Sequence, residues 1–287
     1  MLHAFEIVLN VAIAVFIAGA LFTAGLEVTF AQVLGPLKDI PNVTRALIAN
    51  VVLVPLLTYA MSVFFPLERP YMIGVLLYGI ASGAPYTPRL VAVAEGNVSS
   101  SIGLTMLLTV LTILYMPLAL PFLVPGTHIG MWQIAKPLLL QMFVPLVIGL
   151  GIRQFRPQLA ATLRRPANLV VNLSAAVFLV LALILHRDEL AATVGKGAIA
   201  SAAVLTLVSF GLGFALGKDG PKARVTLGLI TTARNIGAAA TVATANFGDD
   251  PRILITVAVC MFVVFAFAFP MAKLYFNRRL SSPYTDG

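Results

Sequence analysis

Eight stretches of this chain contain no charged residue: Ile7–Leu26, Ala46–Leu67, Tyr71–Pro88, Val98–Thr127, Pro137–Ile152, Pro166–Leu185, Gly197–Gly217 and Ile253–Ala272. Each approaches the roughly 20 residues with which a helix crosses about 30 Å of hydrocarbon. A further apolar stretch, Arg224–Gly248, is interrupted once, by Arg234. The pattern predicts nine spans: Glu6–Leu26, Val43–Phe65, Tyr71–Ala94, Val98–Val124, Met131–Ile152, Pro166–Leu185, Gly195–Gly217, Arg224–Phe247 and Pro251–Phe276. The joining loops are short and leave no room for a soluble domain. The first span is not expected to be a cleaved signal. Met1–Glu6 lack Lys and Arg, and its apolar run exceeds a signal core. Residues 277–287 are expected to form a polar cytoplasmic tail.

Composition agrees. Of 287 residues, 60% are hydrophobic and 10% charged, against about 25% charged in a soluble domain. Disorder, a disulfide scaffold and an ordinary cytosolic enzyme are excluded, and an all-α polytopic membrane protein remains. Cys260 stands alone and is expected to be a small packing residue, and no Cys/His cluster offers a metal site. The net charge of +8 gains meaning only from its placement. With the N-terminus outside, 13 basic residues fall on the inner side and 5 on the outer, leaving Arg234 within a span. This predicts an N-out, C-in protein of a plasma (bacterial inner) membrane. The excess of positive charge then reports orientation, and no nucleic-acid partner is expected.

Two spans break the pattern of a membrane helix. The third contains Ser82-Gly-Ala-Pro-Tyr-Thr-Pro88, which is not expected to stay helical, since Pro85 and Pro88 each remove a donor and clash with the preceding turn. The eighth carries Thr231, Thr232, Arg234 and Asn235 at its centre, which must face a cavity or one another. Non-helical backbone inside a membrane belongs where it is buried in protein or lines water. Paired interruptions point to a transporter's binding site. One long span follows each interruption. Residues 1–124 and 131–276 are therefore expected to be two halves of an inverted repeat of four plus five helices, within one transmembrane domain. The plainer alternative is that the prolines only kink their helices and Arg234 pairs structurally.

At these residues the chain resembles the bile acid:sodium symporter family, whose members fold as inverted repeats with two crossing broken helices. The likeness takes in Phe22–Leu26, Asn50–Pro55, Ala94–Thr105 and Thr226–Phe247. It implies that the chain begins at the second helix of the longer bacterial members. In the family, one sodium site uses a Ser-Asn pair, a Ser, a Thr and a Glu. Ser101 and Thr105 match, whereas the pair falls on Thr87 and Pro88 and the Glu on Ile230. The other site uses that Glu, the Gln of a Gln-Asn pair and an earlier Gln. Asn235 matches, Arg234 replaces the first Gln, and Asn50 stands at the second. A fixed positive charge with no mid-span carboxylate tells against sodium coupling. An arginine can itself supply the charge that attracts an anion.

The expectation is a secondary transporter of a small organic anion, bile-acid-like, a keto acid or another carboxylate, working by alternating access. Its candidate site residues are Arg234, Asn235, Thr231, Thr232, Thr87, Arg89 and Asn50. Ser101 and Thr105 are the candidate ion ligands, and no cofactor beyond sodium enters. Arg234 is expected to meet a substrate carboxylate, for which guanidinium is the preferred bidentate partner. Arg89 either joins it or sits at the inner interface. The alternative is a proton-coupled carrier or anion channel on the same fold. A receptor or membrane enzyme ranks last, because no nucleophile–base pair is visible. Other signals are set aside. Gly211-Leu-Gly-Phe-Ala-Leu-Gly217 suits helix packing, and His3, His128 and His186 lie at span ends. Asn42, Asn97 and Asn172 are glycosylation patterns at inner loops or within a span. Trp132 and Tyr71 fit the interfacial belt. Pro55, Pro117, Pro121, Pro145 and Pro270 are packing kinks.

Overall fold

The computed structural model describes residues 2–65, 67–124, 129–185, 187–189, 193 and 197–280. Every regular element among them is helical. The order is α1 (Leu2–Glu27), α2 (Phe30–Leu34), α3 (Ile40–Leu47), α4 (Val54–Phe64), α5 (Arg69–Ile80), α6 (Thr87–Val93) and α7 (Val98–Leu123). It continues with α8 (Met131–Leu138), α9 (Val144–Phe155), α10 (Pro157–Leu185), α11 (Ala198–Leu216), α12 (Pro221–Thr232), α13 (Ile236–Asn246) and α14 (Pro251–Leu280). Residues 281–287 of the expected tail, His128, His186 and Lys196 lie outside the described residues.

Among the described residues, seven helices are long and apolar enough to cross a membrane. Two of the seven are composite. A π-helical stretch, Ile48–Leu53, joins α3 to α4, and another, Leu139–Phe143, joins α8 to α9. Each stands just before a proline, Pro55 or Pro145, in the first turn of the following helix. Proline removes an N–H and crowds the carbonyl four residues back, and a widened turn accommodates both.

The third and eighth expected spans are each divided into two short helices. Residues 81–86 separate α5 from α6, and residues 233–235 separate α12 from α13. Here the structure corrects two expectations. Thr87 and Pro88 are not part of the unwound segment; they open α6, where a first-turn proline gives up an N–H that has no helical partner anyway. Arg164 and Arg165, expected in a loop, sit on α10, which starts nine residues earlier than the charge-free run suggests.

α1, α9 and α10 pack on one another as one layer. A Cβ on Gly25 would lie 2.5 Å from the Leu146 carbonyl oxygen, and one on Gly149 would lie 2.2 Å from that of Phe22. α1 and α9 therefore cross at backbone contact, which only glycine permits. The other helices gather around the broken pairs. α5, α13 and α12 from Val225 onward are buried on nearly every side. Leu169, Leu173 and Ile184 of α10 are exposed. Such a surface is a liability in water and suits lipid. The two groups meet where α1 lies on α13 and where α8 lies on α7 and α13.

Candidate functional site

The two breaks cross and bond directly, through the Asn235 N–H donating to the Ala81 carbonyl at 2.8 Å. At each break the last carbonyls of one half-helix and the first N–H groups of the next lose their helical partners and must find others.

In the first break the partners come from α7. The Thr112 hydroxyl oxygen accepts from the Ser82 N–H at 3.0 Å and lies 2.8 Å from the Ser82 hydroxyl. The Thr109 hydroxyl donates to the Gly83 carbonyl at 2.6 Å, and the Tyr115 hydroxyl donates to the Ile80 carbonyl. Gly83 has φ of +78°, and a Cβ there would lie 2.2 Å from the Thr109 nitrogen. Glycine is required on both counts.

In the second break the partner is a charge. Arg234 is 1% exposed, the one charged residue among the buried ones described. Its Nη2 donates to Asn50 Oδ1 at 3.0 Å and to the Thr231 carbonyl, and its Nη1 donates to the Gly79 carbonyl at 3.3 Å. Gly79 and Thr231 lie in the last turns of α5 and α12, so the negative ends of two half-helix dipoles converge on one guanidinium. Asn50 is oriented in turn, donating to the Ala46 carbonyl at 3.0 Å and to the Thr231 hydroxyl at 3.3 Å. Tyr78, Tyr86 and Tyr115 lie near enough to interact with the charge. The Nε of Arg234 and the hydroxyls of Tyr78 and Tyr86 are buried without a hydrogen-bond partner. No carboxylate among the described residues lies within ion-pair distance of Arg234.

Asn235 faces the other way. Its Oδ1 accepts from the Ala238 N–H at 3.1 Å, capping α13, while its Nδ2 donates to the Gly83 carbonyl at 3.0 Å. Beside it opens a crevice of about 330 Å³ between α1, α10, α14 and the two breaks. Its walls are largely apolar, from Phe16, Ile17 and Phe265 among others, with Thr23, Tyr86, Asn168, Asn172 and Asn235 as the uncharged polar groups. Arg89 of α6 stands at this crevice and donates to Glu27 of α1 at 3.0 Å, an ion pair that joins the two helix groups. At the far end of α13 lies a second cavity of about 570 Å³, lined by Glu6, Asn10, Gln141, Asp249 and Asp250. Ile17 and Leu21 of α1 close against Gly237 near the start of α13.

The structure brings Arg234, Asn50 and Thr231 together and turns Asn235 toward the crevice. It also separates residues expected to act as one site. Arg234 does not line the crevice: the guanidinium fork expected for a substrate carboxylate is committed to Asn50 and two carbonyls. Thr232 donates to the Thr206 carbonyl of α11 at 2.8 Å, and Thr87 to the Ala84 carbonyl at 2.7 Å. Ser101 donates to the Val98 carbonyl at 2.7 Å, while the buried Thr105 hydroxyl has no partner. Thr109 and Thr112 were missed, although Ser101, Thr105, Thr109 and Thr112 recur at helical spacing and mark one polar face. The α1 wall was also missed, since its apolar side chains resemble those of any membrane helix.

The model of the Sodium Bile acid symporter family matches residues 13–194. A curated relative from Arabidopsis thaliana, "Probable sodium/metabolite cotransporter BASS3, chloroplastic", is 22% identical over 200 residues, which are 69% of this chain and 46% of the relative. The chain thus spans about half the length of that relative.

Proposed function

Because the chain belongs to the Sodium Bile acid symporter family, a family of integral membrane transporters of small molecules, we propose that it carries a small organic anion by alternating access. The observation that carries this reading is the crevice at the crossing of the two broken helices. There the capped N-terminus of α13 offers partial positive charge, Arg89 stands alongside, and Arg234 lies behind the second break as a buried cation with no carboxylate partner among the described residues. Counting the two broken pairs as spans gives nine crossings. The two halves then form an inverted repeat, with the N-terminus outside and the C-terminus in the cytoplasm.

The anion's carboxylate would sit against Asn235 and the first turn of α13, its apolar part against Ile17, Phe16 and Phe265. A volume of about 330 Å³ is at the small end for organic ligands, which favours a compact carboxylate over a steroid. The two cavities share α1 and lie toward opposite ends of α13. Sliding the α1–α9–α10 layer past the broken helices would open one as it closes the other, with the Glu27–Arg89 pair breaking and forming as it moves.

A thermal-shift screen of the purified protein tests this, with organic anions ranging from a 2-keto acid to a steroid carboxylate. At least one anion is expected to stabilise the wild type. Ala20→Trp, which fills the crevice from α1, should abolish that shift while leaving the unliganded midpoint nearly unchanged. A shift that persists in Ala20→Trp would remove the crevice as the site.

A further inference from the structure

The family name and the Arabidopsis relative both imply sodium as a co-transported ion, and the residues of this chain can be tested for fit. A sodium ion is hard and takes oxygen ligands, best with a carboxylate among them. Around Arg234 the crossing presents three oxygens, Asn50 Oδ1 and the carbonyls of Gly79 and Thr231. All three already accept from the guanidinium of Arg234. Every buried charged residue described is this one cation, so the protein interior supplies no carboxylate to bind a second cation and a fixed charge to repel it. The remaining candidate position has Ser101 bonded to its own helix and Thr105 as a single orphaned hydroxyl. These residues do not fit a sodium ion.

We propose that Arg234 is a tethered cation, bonded permanently where the half-helix carbonyl ends converge, so that this protein binds and moves its anion without sodium. A mobile cation in such a place would do two things. It would neutralise the negative ends of α5 and α12, and it would raise the local potential felt by an anion on the other side of the break. Arg234 does both. Two of its three acceptors are main-chain carbonyls, one each from α5 and α12, and its Nε–H is unused. The consequence is a difference in energetics. A site that must load an ion is assembled only when the ion is present, whereas a site built around a side chain stands assembled throughout the cycle. The anion's affinity then depends on the anion alone, and its gradient, or exchange for a second anion, drives net movement. The inference rests on the transport reading for its second half only, because cation binding can be measured without any transport.

The direct test is a sodium titration of the thermal midpoint of the purified wild-type protein. Choline makes up the balance at a constant ionic strength of about 0.15 M. A ligand that binds the folded state raises the midpoint in a saturable way. The expected result is no sodium-specific change. A saturable rise with sodium that choline does not reproduce overturns the proposal. A second arm loads the protein into liposomes and measures uptake of a stabilising anion with sodium or choline outside. Equal rates support the proposal, and a several-fold sodium stimulation overturns it. If no anion is taken up in either salt, the transport reading fails, while the midpoint titration still decides whether the folded protein binds sodium.

Discussion

The two breaks face the same problem and answer it differently. In the first, residues 81–86 leave carbonyls and N–H groups that Thr109, Thr112 and Tyr115 of α7 satisfy with neutral hydroxyls. In the second, residues 233–235 bring a guanidinium that satisfies one carbonyl from α12 and one from α5, the half-helix of the other break. Hydroxyls can donate or accept and are easily re-paired. A guanidinium only donates and keeps its charge in the protein interior. The first break is thus adaptable, and the second imposes a permanent positive potential. That asymmetry distinguishes this crossing from a pair of equivalent kinks.

The largest effect is expected from Arg234→Ala. It strips three buried acceptors of their donor and leaves a cavity, at a cost of about 3–5 kcal/mol, read as a fall in denaturation midpoint. The anion-induced shift should vanish with it. Arg234→Lys keeps the charge but cannot reach Asn50, Gly79 and Thr231 together, and should fall between. If Arg234→Ala unfolds like the wild type, the second break is as adaptable as the first. Next comes Gly83→Ala in the first break. The positive φ and the approach of the α7 backbone predict a loss of about 2–3 kcal/mol by the same measurement. Thr112→Val, which deletes one hydroxyl that serves Ser82, should cost about 1–2 kcal/mol and leave the anion response in place.

How much of this contrast could be read from the chain is uneven, for physical reasons. Both breaks were visible, because Pro85, Gly83 and Arg234 are costly inside a membrane and declare themselves. Their limits were less clear. Thr87 and Pro88 read as more of the break, since a proline that ends one helix and one that begins the next look alike in sequence. The partners of Arg234 lie far off in sequence: the family resemblance sets Asn50 beside it, whereas nothing local in α5 announces that Gly79 comes to it. The crevice was least legible, because its α1 wall has only the apolar residues that lipid also demands. The hydroxyl face of α7 could have been found from its spacing and was not.

Two smaller effects bear on the surroundings of the breaks. Glu27→Gln releases Arg89 from its ion pair beside the crevice. Stability should change by less than about 1 kcal/mol, since the pair is partly exposed. The freed guanidinium should strengthen anion binding several-fold in a titration, and weaker binding would assign Arg89 to the interface alone. Asp250 lies outside both breaks, and the hydrogen bonds it accepts from Arg252 hold its carboxyl below the usual carboxylate range. Its stabilisation is therefore present above the unfolded carboxylate pKa and fades as pH falls through the lowered value. Asp250→Asn should flatten that part of the midpoint-against-pH curve and leave anion binding untouched.

Counterflow in proteoliposomes tests the central reading most directly. Vesicles holding wild-type protein and a high internal concentration of the stabilising anion are given labelled anion outside. The account predicts saturable uptake, accelerated by the internal anion and lost in Ala20→Trp. Uptake that rises linearly with concentration, ignores the internal anion or survives Ala20→Trp would contradict it.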